Sequence, residues 1–123
     1  MPSPTSAKGA RAEAIAASRL EAEGFRILAR NVRTRHGELD LVAEDGSVLV
    51  FVEVRSTRTL DFGGPLVNVD RGKQRRVIRA AREFLLGRPE LAEREMRFDV
   101  VGVSYEPSLE ITLVRNAFDL GGW

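Results

Sequence analysis

The feature that most constrains this chain is a pair of apolar segments joined by Asp45-Gly46. Asp-Gly between two alternating apolar segments is a strong signal for a β-hairpin, because the central residues of a tight hairpin turn need positive φ angles. The sequence therefore predicts one strand over residues 38–44 and a second over residues 47–55. Three carboxylates interrupt these apolar strands: Glu38, Asp40 and Glu53. Charged side chains are seldom fully buried unless they are paired or bind a metal, so these carboxylates need a partner.

The turn also predicts which residues of the two strands face each other. With Asp45 and Gly46 as the loop residues, Glu44 pairs with Ser47, and the same register places Asp40 opposite Phe51. Side chains alternate between the two faces of a strand. One face is therefore predicted to carry Glu38, Asp40, Glu53 and Arg55, with Glu38 opposite Glu53 and His36 opposite Arg55. The other face is predicted to carry Leu39, Leu41, Val50, Val52 and Val54.

Carboxylates that crowd one face of a hairpin repel one another and raise one another's pKa. A hard divalent cation such as Mg²⁺, which prefers oxygen ligands, would offset this repulsion directly. Arg55 or a basic partner would offset it more weakly. The residues alone leave a second interpretation open, an edge hairpin whose acids face water, although Leu49 and Phe51 on the acidic face argue against full exposure.

Helix and strand signals along the rest of the chain predict a mixed α/β fold. Besides the hairpin, the predicted elements are a helix over 9–23, a strand over 25–30, a helix over 70–86, and strands over 98–104 and 109–115. A helix between the third and fourth strands is typical of a crossover, so we expect a mixed central sheet flanked by helices. Residues 1–8 are expected to form a loose N-terminus, 9–115 a single domain and 116–123 a C-terminal tail.

One acid lies on the inward face of the first predicted helix. Glu13 has helical spacing to Ala16, Ala17 and Leu20, which belong to the narrow apolar stripe of that helix. Taken alone, the position also fits an edge residue whose carboxylate reaches solvent.

Composition narrows the classes of function. The absence of cysteine excludes disulfides and thiolate metal sites and favours a reducing compartment, so we expect a cytoplasmic protein. No segment is apolar for long enough to cross a bilayer, and no membrane role is expected. The net charge of +1 gives no global argument for nucleic acid. The second predicted helix, however, carries a basic cluster: Arg71, Lys73, Arg75, Arg76, Arg79 and Arg82. Such a patch suits phosphate binding, although solvated helix faces often show the same pattern.

Two motifs resemble a known signature. The segments GELDLV, which starts at Gly37, and VFVEVR, which ends at Arg55, resemble the PD-(D/E)XK nuclease signature, in which an Asp begins one hairpin strand and Glu-x-Lys ends the next. More closely, the chain is similar to the YraN-like family of uncharacterised bacterial proteins, which are predicted endonucleases similar to archaeal Holliday-junction resolvases. The likeness runs from about Gly9 to Val103 and includes Asn31 and the loop at Phe62-Gly63. It implies a restriction-endonuclease-like αβββαβ core.

The resemblance also implies roles for individual residues. Asp40 and Glu53 would be metal ligands, together with the backbone carbonyl of Val54 and with Glu38 in or beside the site. Glu13 would be the acid that completes the site from the helix. Arg55 stands where the superfamily has Lys; it can stabilise negative charge, but it remains protonated and cannot act as a general base. Phosphate contacts would come from Arg58, Lys73, Arg76 and Arg79.

The function implied is hydrolysis of DNA phosphodiesters with Mg²⁺ or Mn²⁺. By analogy with the resolvases, branched DNA would be the substrate and a homodimer the active form. Arg55 in place of Lys supports a second interpretation, a nucleic-acid-binding module on a nuclease fold with little or no catalysis. A third interpretation is a protein–protein adaptor whose acids are rim charges without metal affinity.

Overall fold

The computed structural model describes residues 6–59 and 68–119, with side chains from residue 9 onward. The elements in chain order are α1 (Ser6–Ala22), β1 (Arg26–Thr34), β2 (Gly37–Asp45), β3 (Val48–Thr59), α2 (Arg71–Leu86), α3 (Pro89–Ala92), β4 (Met96–Glu106) and β5 (Glu110–Phe118). The strands form one sheet in the order β1-β2-β3-β4-β5. β3 and β4 are parallel, and the other neighbours are antiparallel. The expected restriction-endonuclease-like αβββαβ core, a mixed sheet flanked by helices, is confirmed.

The sheet is buried on both faces by one long helix each. On one face α1 packs on the sheet through a cluster formed by Ala16, Ala17, Leu20, Leu41, Val50, Val52, Val101 and Val103, among others. On the other face α2 packs through a cluster that includes Val42, Leu49, Phe51, Val77, Phe84 and Phe98. Because β3 and β4 are buried on both faces, their sequences are nearly continuous runs of apolar residues, as is usual for buried parallel strands.

The second helix begins and ends where the sequence predicts. Asp70 caps it by accepting a hydrogen bond from the Lys73 backbone N–H at 2.8 Å, which satisfies one of the free N–H groups of the first turn. Gly87 lies at its C-terminal end. The helix connects β3 to the parallel strand β4, so it is the predicted crossover.

Two strands extend further than predicted, and each passes through an asparagine with positive φ. β1 continues through Asn31 (φ 52°) to Thr34, where a polar connection was expected. β5 continues through Asn116 (φ 53°) to Phe118, so the expected tail over 116–123 is wrong for its first three residues. Phe118 is held in the core by stacking on Phe98, with ring centroids 4.9 Å apart. Asparagine tolerates this backbone region, so a strand can continue past it with a local irregularity.

Smaller differences occur at other boundaries. α1 begins at Ser6, inside the expected loose N-terminus, and the four-residue α3 was not predicted. β3 continues to Thr59, and most of the long loop expected after it, including Phe62 and Gly63, lies outside the described residues.

The predicted hairpin register is wrong by two residues. The closing pair is Asp45↔Val48, so Gly46 and Ser47 form the loop, and Val42 lies opposite Phe51. Gly46 has φ +61°, as the first central residue of a type II′ turn requires, whereas Asp45 belongs to the strand. The pairs Asp40 with Phe51, Glu38 with Glu53 and His36 with Arg55 are therefore incorrect.

The prediction that one face holds all the acids is also incorrect for β2. Leu39 packs with Val42 in the α2 layer, whereas Leu41 packs in the α1 layer. The alternation of β2 is thus interrupted at Asp40, between the two leucines. As a result, the carboxylates approach one another from both layers of the molecule.

Candidate metal centre

The candidate site lies where β2 and β3 separate. Their last registered pair is Leu41↔Val52, and beyond it β2 stays paired with β1 while β3 stays paired with β4. The Asp40 carboxylate occupies this gap and accepts a hydrogen bond from the Val54 backbone N–H at 2.8 Å. Since the N–H and C=O of a strand residue point toward the same neighbouring strand, the Val54 carbonyl also faces the gap.

Carboxylates from the α1 layer converge on Asp40. Glu13, Glu38 and Asp40 each place a carboxylate oxygen within 4.8 Å of the other two. Glu13 reaches the group from the inward stripe of α1, beside the buried Ala12 and Ala16. The Asn31 side chain, whose residue lies level with Asp40 on β1, hydrogen-bonds the Glu13 carboxyl group.

Glu53 approaches Asp40 from the other layer. It is only 4 % exposed, and its Oε1 lies 3.0 Å from the ammonium nitrogen of Lys73 on α2. Its charge acts on Asp40, and the two carboxyl groups are close enough to hydrogen-bond. Four acids from one helix and two strands therefore surround the gap, with a single ammonium at its α2 side.

This crowding raises the pKa of two of the acids. Burial, followed by repulsion from Glu53, raises the pKa of Asp40 to about 7, against the opposing hydrogen bond from Val54. Burial, followed by the charge of Asp40, raises the pKa of Glu13 to about 7, while the hydrogen bond from Asn31 opposes the rise. The folded protein therefore holds acids that resist ionisation at neutral pH unless positive charge is brought to them.

The donor set fits a hard divalent cation. An octahedral Mg²⁺ or Mn²⁺ keeps ligand oxygens at about 2.1 Å from the metal and roughly 3 to 4 Å from one another. The carboxylate oxygens of Glu13, Glu38 and Asp40 lie within 4.8 Å of one another, so small side-chain adjustments would bring them to this spacing. Lys73 already places a positive charge 3.0 Å from Glu53 Oε1, so one acid of the centre is partly neutralised.

The structure brings together the acids predicted from the sequence but not the arginine. Glu13, Glu38, Asp40 and Glu53 lie around the gap; their role as ligands stays a prediction. The Arg55 side chain instead donates to the Asn68 carbonyl oxygen at 3.3 Å, and its charge acts on Asp70. Among the predicted phosphate contacts, Arg58 is paired with Glu106 at 3.4 Å, and Arg76 and Arg79 are exposed on α2.

Sequence reasoning missed that Lys73 belongs to this centre. It was assigned to the phosphate-binding face of α2, yet it stands at helical spacing before Val77, Ala80 and Phe84, which are all buried. A charged residue on the apolar stripe is the same signal that singled out Glu13, and it could have been used here. Asn31 gave no comparable signal, because its position in β1 depends on an unpredictable positive φ.

Fold and site together define this chain as a restriction-endonuclease-like α/β protein with a cluster of acids at the open end of its hairpin. The sequence profile described as "Uncharacterised protein family UPF0102" matches residues 12–103. The chain therefore belongs to this family, which is the YraN-like family that its motifs resemble.

Relatives match the chain over nearly its whole length. A UPF0102 protein of Anaeromyxobacter sp. (strain Fw109-5) is 51 % identical over 114 residues, which cover 92 % of this chain and 85 % of the relative. A UPF0102 protein of Xanthomonas campestris pv. campestris (strain B100) is 48 % identical over 120 residues, or 98 % of each chain. Among solved structures, SfsA of Pyrococcus furiosus in complex with Ca²⁺ matches 90 % of this chain and 65 % of its own, with 22 % identity and a TM-score of 0.42.

None of the helices in the described parts of the chain is both long enough and apolar enough to cross a membrane.

Proposed function

We propose that this protein is a metal-dependent endonuclease that hydrolyses DNA phosphodiesters. The observation that carries the proposal is the convergence of acids from separate elements in the gap between β2 and β3. Glu13, Glu38 and Asp40 bring carboxylate oxygens within 4.8 Å of one another, and the buried Glu53 contacts Asp40. Such an arrangement costs stability, which is typical of a site shaped for chemistry.

In this mechanism Asp40 and Glu53 would hold Mg²⁺ or Mn²⁺, with the Val54 carbonyl and Glu38 beside them. When bound, the ion supplies positive charge that activates a nucleophilic water and neutralises the scissile phosphate. Glu13 accepts a hydrogen bond from the attacking water at a carboxylate oxygen and so orients it. A carboxyl group whose pKa is about 7 is matched to proton transfer near neutral pH.

The exposed arginines of α2 would hold the DNA backbone. Arg71, Arg75 and Arg79 are spaced by four residues and are exposed, so they form one stripe along the helix that carries Lys73 at its start. Contacts to phosphates position a duplex without reading its sequence. Selectivity for branched DNA and a homodimer are proposed from the resemblance to resolvases, because a two-fold symmetric junction suits two copies of one nuclease. A cytoplasmic location is proposed from the cysteine-free sequence.

Cleavage assays with matched variants test the proposal. The protein is incubated with a linear duplex and with a four-way junction, in Mg²⁺, in Mn²⁺ and in EDTA. We expect metal-dependent cutting that falls on the order of 100-fold or more in Asp40→Asn and in Glu53→Gln. Arg19→Gln, on the solvent side of α1, is the control and should cut like the unmodified protein.

Other outcomes select between the alternatives. Salt-sensitive DNA binding that persists in both variants, without cutting by any of the proteins, would support a binding module instead. Neither binding nor cutting, with no heat on titration of Mn²⁺, would support a protein–protein adaptor. Equal cutting by the unmodified protein and both variants would indicate a contaminating nuclease and would remove the proposed site.

A further inference from the structure

We propose that Lys73, delivered from α2, is the catalytic lysine of this centre and takes the place that Arg55 leaves vacant on β3. The inference rests on the proposed nuclease function and assigns to that site a residue from a different element. It is carried by the position of the ammonium group, the direction of Arg55 and the rigidity of the helix start.

The ammonium group of Lys73 is the positive charge in contact with Glu53 at the α2 side of the gap, whereas Glu38 is paired with the exposed Arg33 at 3.9 Å. Its Nζ lies 3.0 Å from Glu53 Oε1, and its charge also acts on Asp40. The Lys73 side chain is 36 % exposed, whereas that of Glu53 is 5 % exposed. One end of the ion pair is therefore buried, and the other remains open to a substrate that approaches from solvent.

Arg55 is held away from this position. Its guanidinium donates to the Asn68 carbonyl oxygen and lies beside Asp70. These groups line a separate cavity of about 590 Å³ together with Arg55 itself, Gln74 and Phe118. Within the described residues, the salt bridge to Glu53 comes from Lys73 and not from Arg55.

The backbone at Lys73 is fixed by its own helix cap. Its N–H donates to Asp70 Oδ1 at 2.8 Å, and the neighbouring Gln74 side chain donates to the Val69 carbonyl oxygen at 2.8 Å. On its C-terminal side, Val77, one turn along the same stripe, is only 3 % exposed. The backbone that carries the Lys73 side chain is therefore fixed, which limits the positions that the ammonium group can reach around Glu53.

The chemistry needs only a permanent hydrogen-bond donor. Water adds to the phosphorus, the bond from phosphorus to the leaving sugar oxygen breaks, the proton lost by the water passes through Glu13 to solvent, and the leaving oxygen takes a proton from solvent. Lys73 stays protonated throughout and donates to a non-bridging phosphate oxygen, where negative charge develops. A cation held by Glu53 would compete with the ammonium group for that carboxylate and leave Lys73 free to make this contact.

Four variants test the inference with two independent measurements. Lys73→Met removes the charge at similar volume, Lys73→Arg keeps the charge, Arg55→Lys restores the superfamily motif, and the double variant combines Lys73→Met with Arg55→Lys. Cleavage of a DNA duplex in Mn²⁺ is measured together with Mn²⁺ affinity by calorimetry in the absence of DNA. Arg79→Met serves as the comparison for a residue that only binds phosphates.

We expect opposite changes in the two measurements. Lys73→Met should cut on the order of 100-fold more slowly at saturating DNA, yet bind Mn²⁺ roughly tenfold more tightly, because Glu53 loses its competing ammonium group. Lys73→Arg should keep Mn²⁺ affinity near that of the unmodified protein, and Arg55→Lys should restore at least part of the rate to Lys73→Met. Arg79→Met should raise the DNA concentration needed for half-maximal cutting and leave the maximal rate unchanged.

Three results would overturn the assignment while the nuclease function stands. Unchanged cutting by Lys73→Met, while Asp40→Asn abolishes it, leaves the nuclease in place and removes Lys73 from its mechanism. If Lys73→Met loses cutting and Mn²⁺ affinity together, Lys73 has a structural role in the metal centre and no direct role in catalysis. If Lys73→Met lowers only the affinity for DNA, as Arg79→Met is expected to do, Lys73 is a phosphate contact. If the unmodified protein does not cut, the proposed function itself fails, and the role of Lys73 fails with it.

Discussion

Asp40 is the residue at which the fold and the candidate site depend on each other. Its carboxylate accepts the Val54 N–H at the point where β2 and β3 stop pairing, so it replaces a missing ladder hydrogen bond. Burial and Glu53 raise its pKa to about 7. The Asp40 carboxylate thus bridges β2 to β3, yet its raised pKa means that its negative charge is unfavourable there without a bound cation.

This raised pKa predicts that Asp40 destabilises the metal-free protein at neutral pH. The ordinary pKa is 3.8 and the folded value about 7, so the folded state holds a proton that the unfolded state has lost between these values. Stability therefore falls as pH rises from about 4 to about 7. Asp40→Asn, which can still accept from Val54, should stabilise the protein by roughly 1–3 kcal/mol above this window, less than the full shift implies because neighbouring acids share the proton.

Thermal melts in EDTA across the pH range measure this difference. The gain in Asp40→Asn should vanish at about pH 4, where both proteins are neutral at this position. Added Mn²⁺ should stabilise the unmodified protein and leave the variant unchanged. If Asp40→Asn is less stable than the unmodified protein at every pH, Asp40 stabilises the fold as a buried hydrogen-bond acceptor and its charge does not destabilise it.

Single residues were predictable where they broke a pattern. Asp40 and Glu53 interrupt apolar strands, and Glu13 interrupts an apolar helical stripe, so each was visible in the sequence. Lys73 breaks the apolar stripe of α2 in the same way. It is, however, one of six basic residues in that helix, so it was interpreted as part of an exposed phosphate-binding surface. Local charge density concealed the periodicity that marked it.

At the scale of elements, α2 combines three tasks in sixteen residues. Its buried face closes the core, its capped N-terminus places Lys73 at the acids, and its outer face carries the arginine stripe. Because one rigid helix carries these features, the arginine stripe on its outer face and Lys73 on its inner face keep a fixed spacing.

The arginine stripe predicts a change in the salt dependence of DNA binding. Changing Arg75 and Arg79 together to Gln should weaken binding roughly tenfold at low salt and reduce the slope of log affinity against log salt by about two, because two phosphate contacts are lost. Fluorescence anisotropy with a labelled duplex in EDTA measures both quantities. The effect should be the same for duplexes of different sequence.

A control that removes the same number of positive charges elsewhere tests whether DNA binding depends on the arginine stripe or only on the net charge of the protein. Arg19 and Arg26 are exposed and paired with Glu23 and Glu44, away from α2. Changing both to Gln should leave the salt slope near that of the unmodified protein. Equal slopes for the two double variants would mean that binding follows net charge, and the stripe would lose its assigned role.

Element types were predictable, but their register and ends were not. Alternating apolar residues and Asp-Gly marked the hairpin correctly, yet they could not decide between Asp45-Gly46 and Gly46-Ser47 as the loop. The tertiary contacts of Arg94 decide it in part, since its side chain donates to the carbonyl oxygens of Gly46 and Ser47 and to Glu44. A long-range contact of this kind has no signature in a local pattern.

At the scale of the whole molecule, a second charged cluster lies at the end of the sheet that carries the β2–β3 turn. Asp99 is fully buried, accepts hydrogen bonds from both Nε and Nη2 of Arg97, and accepts the Asn116 N–H at 2.9 Å. Arg97 also donates to Asp45 at 2.8 Å, which joins β4 to the hairpin. Arg97 pairs with both acids of this cluster, whereas in the candidate site the charge of Glu53 raises the pKa of Asp40.

This cluster predicts a stability effect without an effect on the site. Asp99→Ala leaves Arg97 paired with Asp45 alone and removes the acceptor of the Asn116 N–H, and should cost about 1–3 kcal/mol of unfolding free energy in urea titrations. Mn²⁺ affinity of the folded variant should stay unchanged. Glu106→Gln, which removes an exposed pair with Arg58, is the control and should have no measurable effect. A small loss in Asp99→Ala would show that the cluster orders the strands without stabilising them.

The topology of the molecule could be predicted because it follows from element order. A helix between two apolar strands requires a crossover, which made β3 and β4 parallel and placed helices on the sheet. The meeting of Glu13, Asp40 and Glu53 could be expected only through the resemblance. Their approach from both layers depends on the separation of β2 and β3, which no local pattern specified.

The most direct test of the proposed metal centre is a crystal structure of the protein soaked in Mn²⁺, with an anomalous difference map. We expect a manganese peak in the gap between β2 and β3, at about 2.1 Å from carboxylate oxygens of Asp40 and Glu53, with the Lys73 ammonium group moved off Glu53. A map without a peak there, with Lys73 still paired to Glu53 at saturating Mn²⁺, would contradict the metal centre and the nuclease mechanism built on it.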